Sequence, residues 1–164
     1  MEMDLGTRIA ARLHEEWRET RKKADGTYEP RWKKVTDKKF VAGLDVRNLP
    51  PYLRLDDHHF VEIDIANTPY EKLSPDWQAE NKAAGKVVAE IIESKKLYSR
   101  DEIGTIIHDE WLKRNSWAKS DPILGKDFID LPEDEQDKDL VQYDIGIEAY
   151  QEMLKEIEED RENS

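Results

Sequence analysis

Two tryptophans, each one helical turn after a histidine, are the residues whose type and spacing most invite chemistry. Ile9-Ala-Ala-Arg-Leu-His14-Glu-Glu-Trp17 aligns without gaps on Ile103-Gly-Thr-Ile-Ile-His108-Asp-Glu-Trp111, with one offset of 94 positions throughout. An indole offers a broad flat face, and stacking a nucleobase on an aromatic ring is worth roughly 1–3 kcal/mol. Two readings of the pair stand. Facing each other across a cleft, Trp17 and Trp111 would clamp a flat ring. On the helix faces they share with Ile9/Leu13 and Ile103/Ile107, they would be core residues.

Arg21, Tyr28, Arg31 and Lys33 follow the first of these segments. Arginine suits phosphate through its two-pronged donor geometry, and Tyr28 could stack or donate a hydrogen bond. The plainer reading is a solvated loop in which Arg21 pairs with a nearby acid. His14 and His108 would need partners for a metal or catalytic role. His14-Glu15-Glu16-Trp17 lacks the second histidine of a His-Glu-x-x-His zinc helix, and Asp56-Asp57-His58-His59 falls in a turn. The expectation is therefore a satisfied histidine, hydrogen-bonded across the interface between repeats. Asp64, Asn67 and Tyr70 could fix a loop against a ligand. No Gly-rich phosphate loop or nucleophile elbow is present, and with so many Asp and Glu no chance carboxylate pair is credited. No catalytic residue, metal site or cofactor is expected, and the protein is read as non-enzymatic.

These residues must be held by helices. Leu5, Ile9, Leu13 and Trp17 line one face at four-residue spacing. A second helix opens at Ser74-Pro75 and carries Trp77, Ala84, Val87, Val88, Ile91 and Ile92. A third opens with a Ser99/Glu102 capping box and carries Ile103, Ile106, Ile107 and Trp111. A fourth starts near Pro132, runs through Leu140, Val141, Ile145, Ala149, Met153 and Ile157, and is expected to fray over Glu158–Ser164. Between the first two, Gly26–Pro30 reads as a turn. Phe60–Ile65 alternates as a short strand, Phe40–Val46 is a weaker strand that could pair with it, and Pro50-Pro51 separates them. Asn115–Gly125 reads as a loop. The second helices also repeat: Leu73-Ser-Pro-Asp-Trp-Gln matches Leu131-Pro-Glu-Asp-Glu-Gln at an offset of 58. The mainly α fold expected is thus two pseudo-symmetric two-helix repeats, with a short β-hairpin or irregular insertion in the first. Repeat one spans 4–95, repeat two 99–158 and an acidic tail 159–164, within a single domain 1–164. Tandem hairpins of this size tend to pack about a pseudo-twofold axis, which would bring Trp17 and Trp111 near each other.

Composition bounds the partners. Of 164 residues, 37% are hydrophobic and 39% charged, so five Trp, six Tyr and three Phe must organise a thin core. The absence of cysteine excludes disulfides and thiolate chemistry. No apolar run spans a bilayer, and Met1-Glu2-Met3-Asp4 does not open a secretory signal. The simplest location is cytoplasmic, with no membrane partner. Net charge is −12, and Asp127–Ser164 alone carries fifteen acids against three bases, which disfavours duplex nucleic acid as a partner. Arg18–Lys38 carries eight bases against four acids and could hold a small anion. Association into a homodimer is left open.

His14-Glu15-Glu16-Trp17-Arg18-Glu19-Thr20-Arg21 resembles the opening helix of the ryanodine receptor (RyR) repeat family, whose pattern is His-Glu-x-Trp-x-x-x-Arg. Gly26-Thr27-Tyr28-Glu29-Pro30-Arg31 is similar to that family's turn, and Thr68-Pro69-Tyr70-Glu71-Lys72-Leu73 to its approach to the second helix. The second unit keeps His108, Trp111 and Phe128-Ile129-Asp130-Leu131-Pro132. It lacks the Gly/Tyr turn, and Arg114 falls one position early. Lys34–Ile65 lies outside the resemblance. The resemblance implies paired helical repeats of the prokaryotic or viral type, which act as sensors or binders of nucleotide-like ligands. It implies a binding module for a small anionic aromatic ligand, a nucleotide or nucleotide-derived signal, acting as sensor or sequestering protein. The alternative is an acidic protein-interaction or nucleic-acid-mimic role carried by the C-terminal helix.

Overall fold

The structure, a computed structural model, describes residues 3–163; Met1, Glu2 and Ser164, which include both ends of the segments assigned above, lie outside the described residues. It is mainly helical, with a small three-stranded antiparallel sheet. In chain order the elements are α1 (Leu5–Glu19), β1 (Trp32–Lys34), α2 (Lys38–Ala42), β2 (Leu53–Leu55), β3 (Val61–Asp64), α3 (Pro75–Glu93), α4 (Arg100–Arg114) and α5 (Glu133–Glu162), with 3₁₀ turns at Ile65–Asn67, Tyr70–Lys72, Ser116–Ser120 and Phe128–Asp130. The chain divides into two compact units. One is Ala10–Asn81; the other is the chain up to Ile9 together with everything from Lys82, so the division runs through α1 and α3.

In the Ala10–Asn81 unit the sheet order is β1-β3-β2, with Trp32 opposite Asp64 and Leu53 opposite Ile63. Strand β3 is the expected one. Its partners are not Phe40–Val46, which forms the short helix α2 and the turn after it. The reason is local: the Asp37 carboxylate accepts from Phe40 N at 2.8 Å and caps a helical turn that alternation alone does not reveal. One side of the sheet, from Leu53, Val61 and Ile63, packs with Ala10, Val35, Tyr70 and Leu73 into the core. The turn expected at Gly26–Pro30 is present, with Gly26 at φ +86°, a conformation that costs glycine little. A single bridge pairs Lys22 with Tyr28 across it.

In the other unit, α4 packs on α5 and on the 3₁₀ turns flanking it. The Ser99/Glu102 capping box forms as expected, with Glu102 N donating to Ser99 Oγ at 3.1 Å and Ser99 N to Glu102 Oε1 at 3.0 Å. Helix α5 does not fray at Glu158; it stays helical to Glu162. An ion pair between Arg8 and Glu156 holds its last turns. Its buried residues are Asp139, Ile145, Gly146 and Ala149, one stripe at helical spacing, and Asp139 is the polar member of it.

Candidate functional site

The two histidine–tryptophan segments adopt one local geometry. His14 is buried, and its Nε2 lies 2.7 Å from the Thr68 carbonyl; His108 is buried, and its Nε2 lies 2.8 Å from the Lys126 carbonyl. A carbonyl only accepts, so Nε2 is the donor in each. Thr68 and Lys126 are related by the offset of 58 that relates the second helices. The bonds therefore stay inside each repeat rather than crossing between repeats, as the sequence had suggested, because the chain returns past each histidine on its way into the second helix. Each imidazole stacks on its tryptophan: His14 on Trp17 at 5.8 Å and 22°, His108 on Trp111 at 6.1 Å and 17°.

The surroundings of the two tryptophans differ. Arg21 lies over the Trp17 ring at 5.5 Å, and its guanidinium donates to the carbonyls of Glu29 (3.0 Å) and Pro30 (3.1 Å). Arg21 thus clips the loop to α1 rather than pairing with an acid. Tyr28 donates to Glu19 at 2.9 Å, under Arg18 at 4.6 Å from its ring. That bond holds the Tyr28 phenol above its ordinary range. Lys33 sits 5.8 Å from the Trp77 ring, away from Trp17's own neighbours, and Arg31 is engaged through its backbone, its N donating to Asp64 at 2.9 Å. Asp64 also accepts from Ala66 N, Asn67 N and Asn67 Nδ2, so it caps the 3₁₀ turn, while Tyr70 is core. Arg21 and Lys33 thus lie over two different indoles, and Arg31 is held through its backbone N–H.

Trp111 instead borders a cavity of about 300 Å³, lined by His108, Trp111, Leu124, Leu131, Glu135, Lys138, Asp139 and Gln142. Glu135, Lys138, Asp139 and Gln142 recur at i, i+3, i+4 and i+7, so one face of α5 supplies the polar wall. Glu135 and Lys138 pair at 3.0 Å. Asp139 Oδ2 lies 3.7 Å from His108 Nδ1, within ion-pair range but beyond a hydrogen bond. Burial pushes the Asp139 carboxyl up to about 6; His108 pulls it down and Glu135 pushes it further up. Desolvation outweighs the histidine's attraction. Trp117, in the 3₁₀ turn Ser116–Ser120, meets Trp111 edge-on at 6.0 Å and is 63% exposed.

The corresponding wall in repeat one is built from other residues. At the offset of 58, Trp77 stands where repeat two has Glu135, and Asn81 where it has Asp139. The Trp77 indole donates to Lys34 O at 2.8 Å, tying α3 to the inserted sheet. His14 is pushed below the usual histidine range, chiefly by burial. Sequence reasoning missed Glu135, Lys138, Asp139 and Gln142. The signal was there for Asp139: an acid on the stripe of Ile145 and Ala149. Among the described residues, no cluster of His, Asp and Glu is arranged to hold a metal.

No family model, curated protein or solved structure matches the chain. Among the described residues, no helix is long and apolar enough to cross a membrane.

Proposed function

We propose that the protein is a non-enzymatic binding module for a small anionic aromatic ligand, a nucleotide or nucleotide-derived signal. It would act as a cytoplasmic sensor or sequestering protein related to the RyR repeats. The observation that carries this reading is the cavity beside Trp111, where an indole and buried polar groups converge on about 300 Å³. That volume is at the lower end of ligand pockets, roughly 300–1,000 Å³, and has room for one ring system rather than a whole nucleotide. Two carboxyls among the lining residues repel phosphate, so the ring enters and the phosphate stays in solvent, where Lys138 is the nearest exposed cation of the lining. Duplication supports the same reading, because the His–carbonyl and His–Trp geometry recurs while the wall of the second repeat is left open.

Thermal-shift and isothermal titration screening against purine nucleotides and cyclic nucleotides tests the proposal. Stabilisation that grows with ligand concentration is expected, about 2.7 kcal/mol at a hundredfold excess over Kd. No shift with any member at millimolar concentration removes it.

One observation favours a second reading, an acidic interaction or nucleic-acid-mimic surface. After Ala149 helix α5 continues to Glu162 with no further buried residue, and Leu154 and Ile157 stand exposed among its acids. Truncation after Ala149 would abolish binding to a basic partner and leave small-ligand binding in place.

A further inference from the structure

The cavity's chemistry narrows the class of ring it takes. Asp139 is only 8% exposed, yet among the described residues its carboxyl accepts no hydrogen bond, and its ion-pair partner His108 Nδ1 lies 3.7 Å away. Gln142, one turn along α5, also lines the cavity, and its amide likewise makes no hydrogen bond among the described residues. Burying a carboxyl without donors is costly, and the cost is recovered when a ligand supplies them. A carboxylate has two oxygens and only accepts, so it is matched by two adjacent N–H groups.

We infer that the ring seated against Trp111 carries a guanine-type edge, a ring N–H beside an exocyclic amine, read by Asp139, with Gln142 donating to the neighbouring carbonyl oxygen. An adenine edge offers one amine beside a ring-nitrogen acceptor, whose lone pair meets the carboxylate unfavourably. Hypoxanthine keeps the ring N–H and loses the amine. Affinity therefore falls from guanine to hypoxanthine to adenine, and a two-point contact of this kind discriminates by roughly 10- to 100-fold. The inference rests on the cavity being the ring-binding site of the proposed function.

Titration calorimetry of the full chain with GMP, IMP and AMP at pH 7.5, on wild type, Asp139→Asn and Gln142→Ala, tests it. The expected result is GMP tighter than AMP by at least tenfold, with IMP between them. In D139N the guanine preference collapses, because an amide presents one acceptor and one donor to an edge of two donors. In Q142A affinity for GMP falls severalfold while GMP still exceeds AMP, and melting curves confirm that each variant folds. AMP binding as tightly as GMP, or D139N keeping the full preference, overturns the inference and leaves nucleotide binding standing. Binding of none of the three overturns both.

Discussion

The two repeats keep one set of contacts and diverge at another, and the divergence falls where the cavity is. Both place a buried histidine on a carbonyl and under a tryptophan. Both also anchor the second helix through one glutamine: Gln78 Nε2 donates to Tyr70 O at 2.8 Å, and Gln136 Nε2 to Phe128 O at 3.0 Å. These are the contacts that turn the chain from the first helix into the second, and they are shared because each hairpin needs them to close. The wall facing the histidine is free to change. Repeat one spends it on Trp77 and Asn81, with Trp77 bonded to the inserted sheet. Repeat two has Glu135 and Asp139 there, and no sheet.

The largest expected effect comes from breaking the match at Ala10 and Gly104, which the offset of 94 equates. Ala10 shares a core with Tyr70, whereas a Cβ at Gly104 would overlap the Phe128 ring, itself fully buried. Gly104→Ala should therefore destabilise by about 1–3 kcal/mol by overpacking, outweighing the gain of about 1 kcal/mol in helix propensity. Ala10→Gly should cost about 1 kcal/mol through propensity and lost packing. Urea melts of both variants give the comparison, and a stabilised G104A would show that Phe128 has room to move.

The pH dependence of stability sharpens the contrast, because the two sites titrate in opposite directions. His14 is depressed by burial, so the unfolded chain binds its proton first. The stability this gives is full above about pH 6.5 and is lost as pH falls from there. Asp139 is raised to about 6 from 3.8, so the folded state binds its proton first, and its burial penalty is absent below pH 3.8 and complete above 6. D139N should stabilise the unliganded protein at pH 7 by an amount on the order of 1–2 kcal/mol, and the gain should vanish toward pH 4. Asn81 shows that an amide is accepted at the equivalent place. His14→Gln should flatten the acid side of the wild-type profile below pH 6.5. Melting temperature against pH for the three proteins reads both effects, and a D139N gain that is constant across the range would contradict the assignment to Asp139. Glu135, Lys138 and His108 face the same cavity, so the difference between variants is the quantity to follow.

The smallest effect concerns the shared glutamines. Gln78→Ala and Gln136→Ala should each cost about 1 kcal/mol. Q136A should cost somewhat more, because Gln136 Nε2 also reaches Ile129 O and Leu131 O at 3.3 and 3.2 Å. Unequal costs in the reverse order would show that the second hairpin closes by other contacts.

The helices and the duplication were legible because tryptophan and histidine are rare enough that nine aligned residues carry weight. The offset of 58, weak by itself, turned out to place both carbonyl partners, Thr68 and Lys126, the 3₁₀ turns Tyr70–Lys72 and Phe128–Asp130 and both glutamines in register. What escaped did so for physical reasons. Phe40–Val46 reads as a weak strand, and one Asp37 side chain caps its first residues into a helix. Glu158–Ser164 reads as a fraying tail, and the helix runs on to Glu162. Asp139 was hidden by abundance, since among fifteen acids in the last segment only its position on an apolar stripe marks it.

The central claim, that an aromatic ring enters beside Trp111, is tested most directly by the indole N–H signals in a nitrogen–proton correlation spectrum. Five tryptophans give five such signals, with Trp111 assigned by its loss in Trp111→Phe. The account predicts that GMP moves the Trp111 signal saturably, at the concentration where calorimetry shows binding, and that D139N weakens the response. A Trp111 signal that stays still while the nucleotide binds would contradict it.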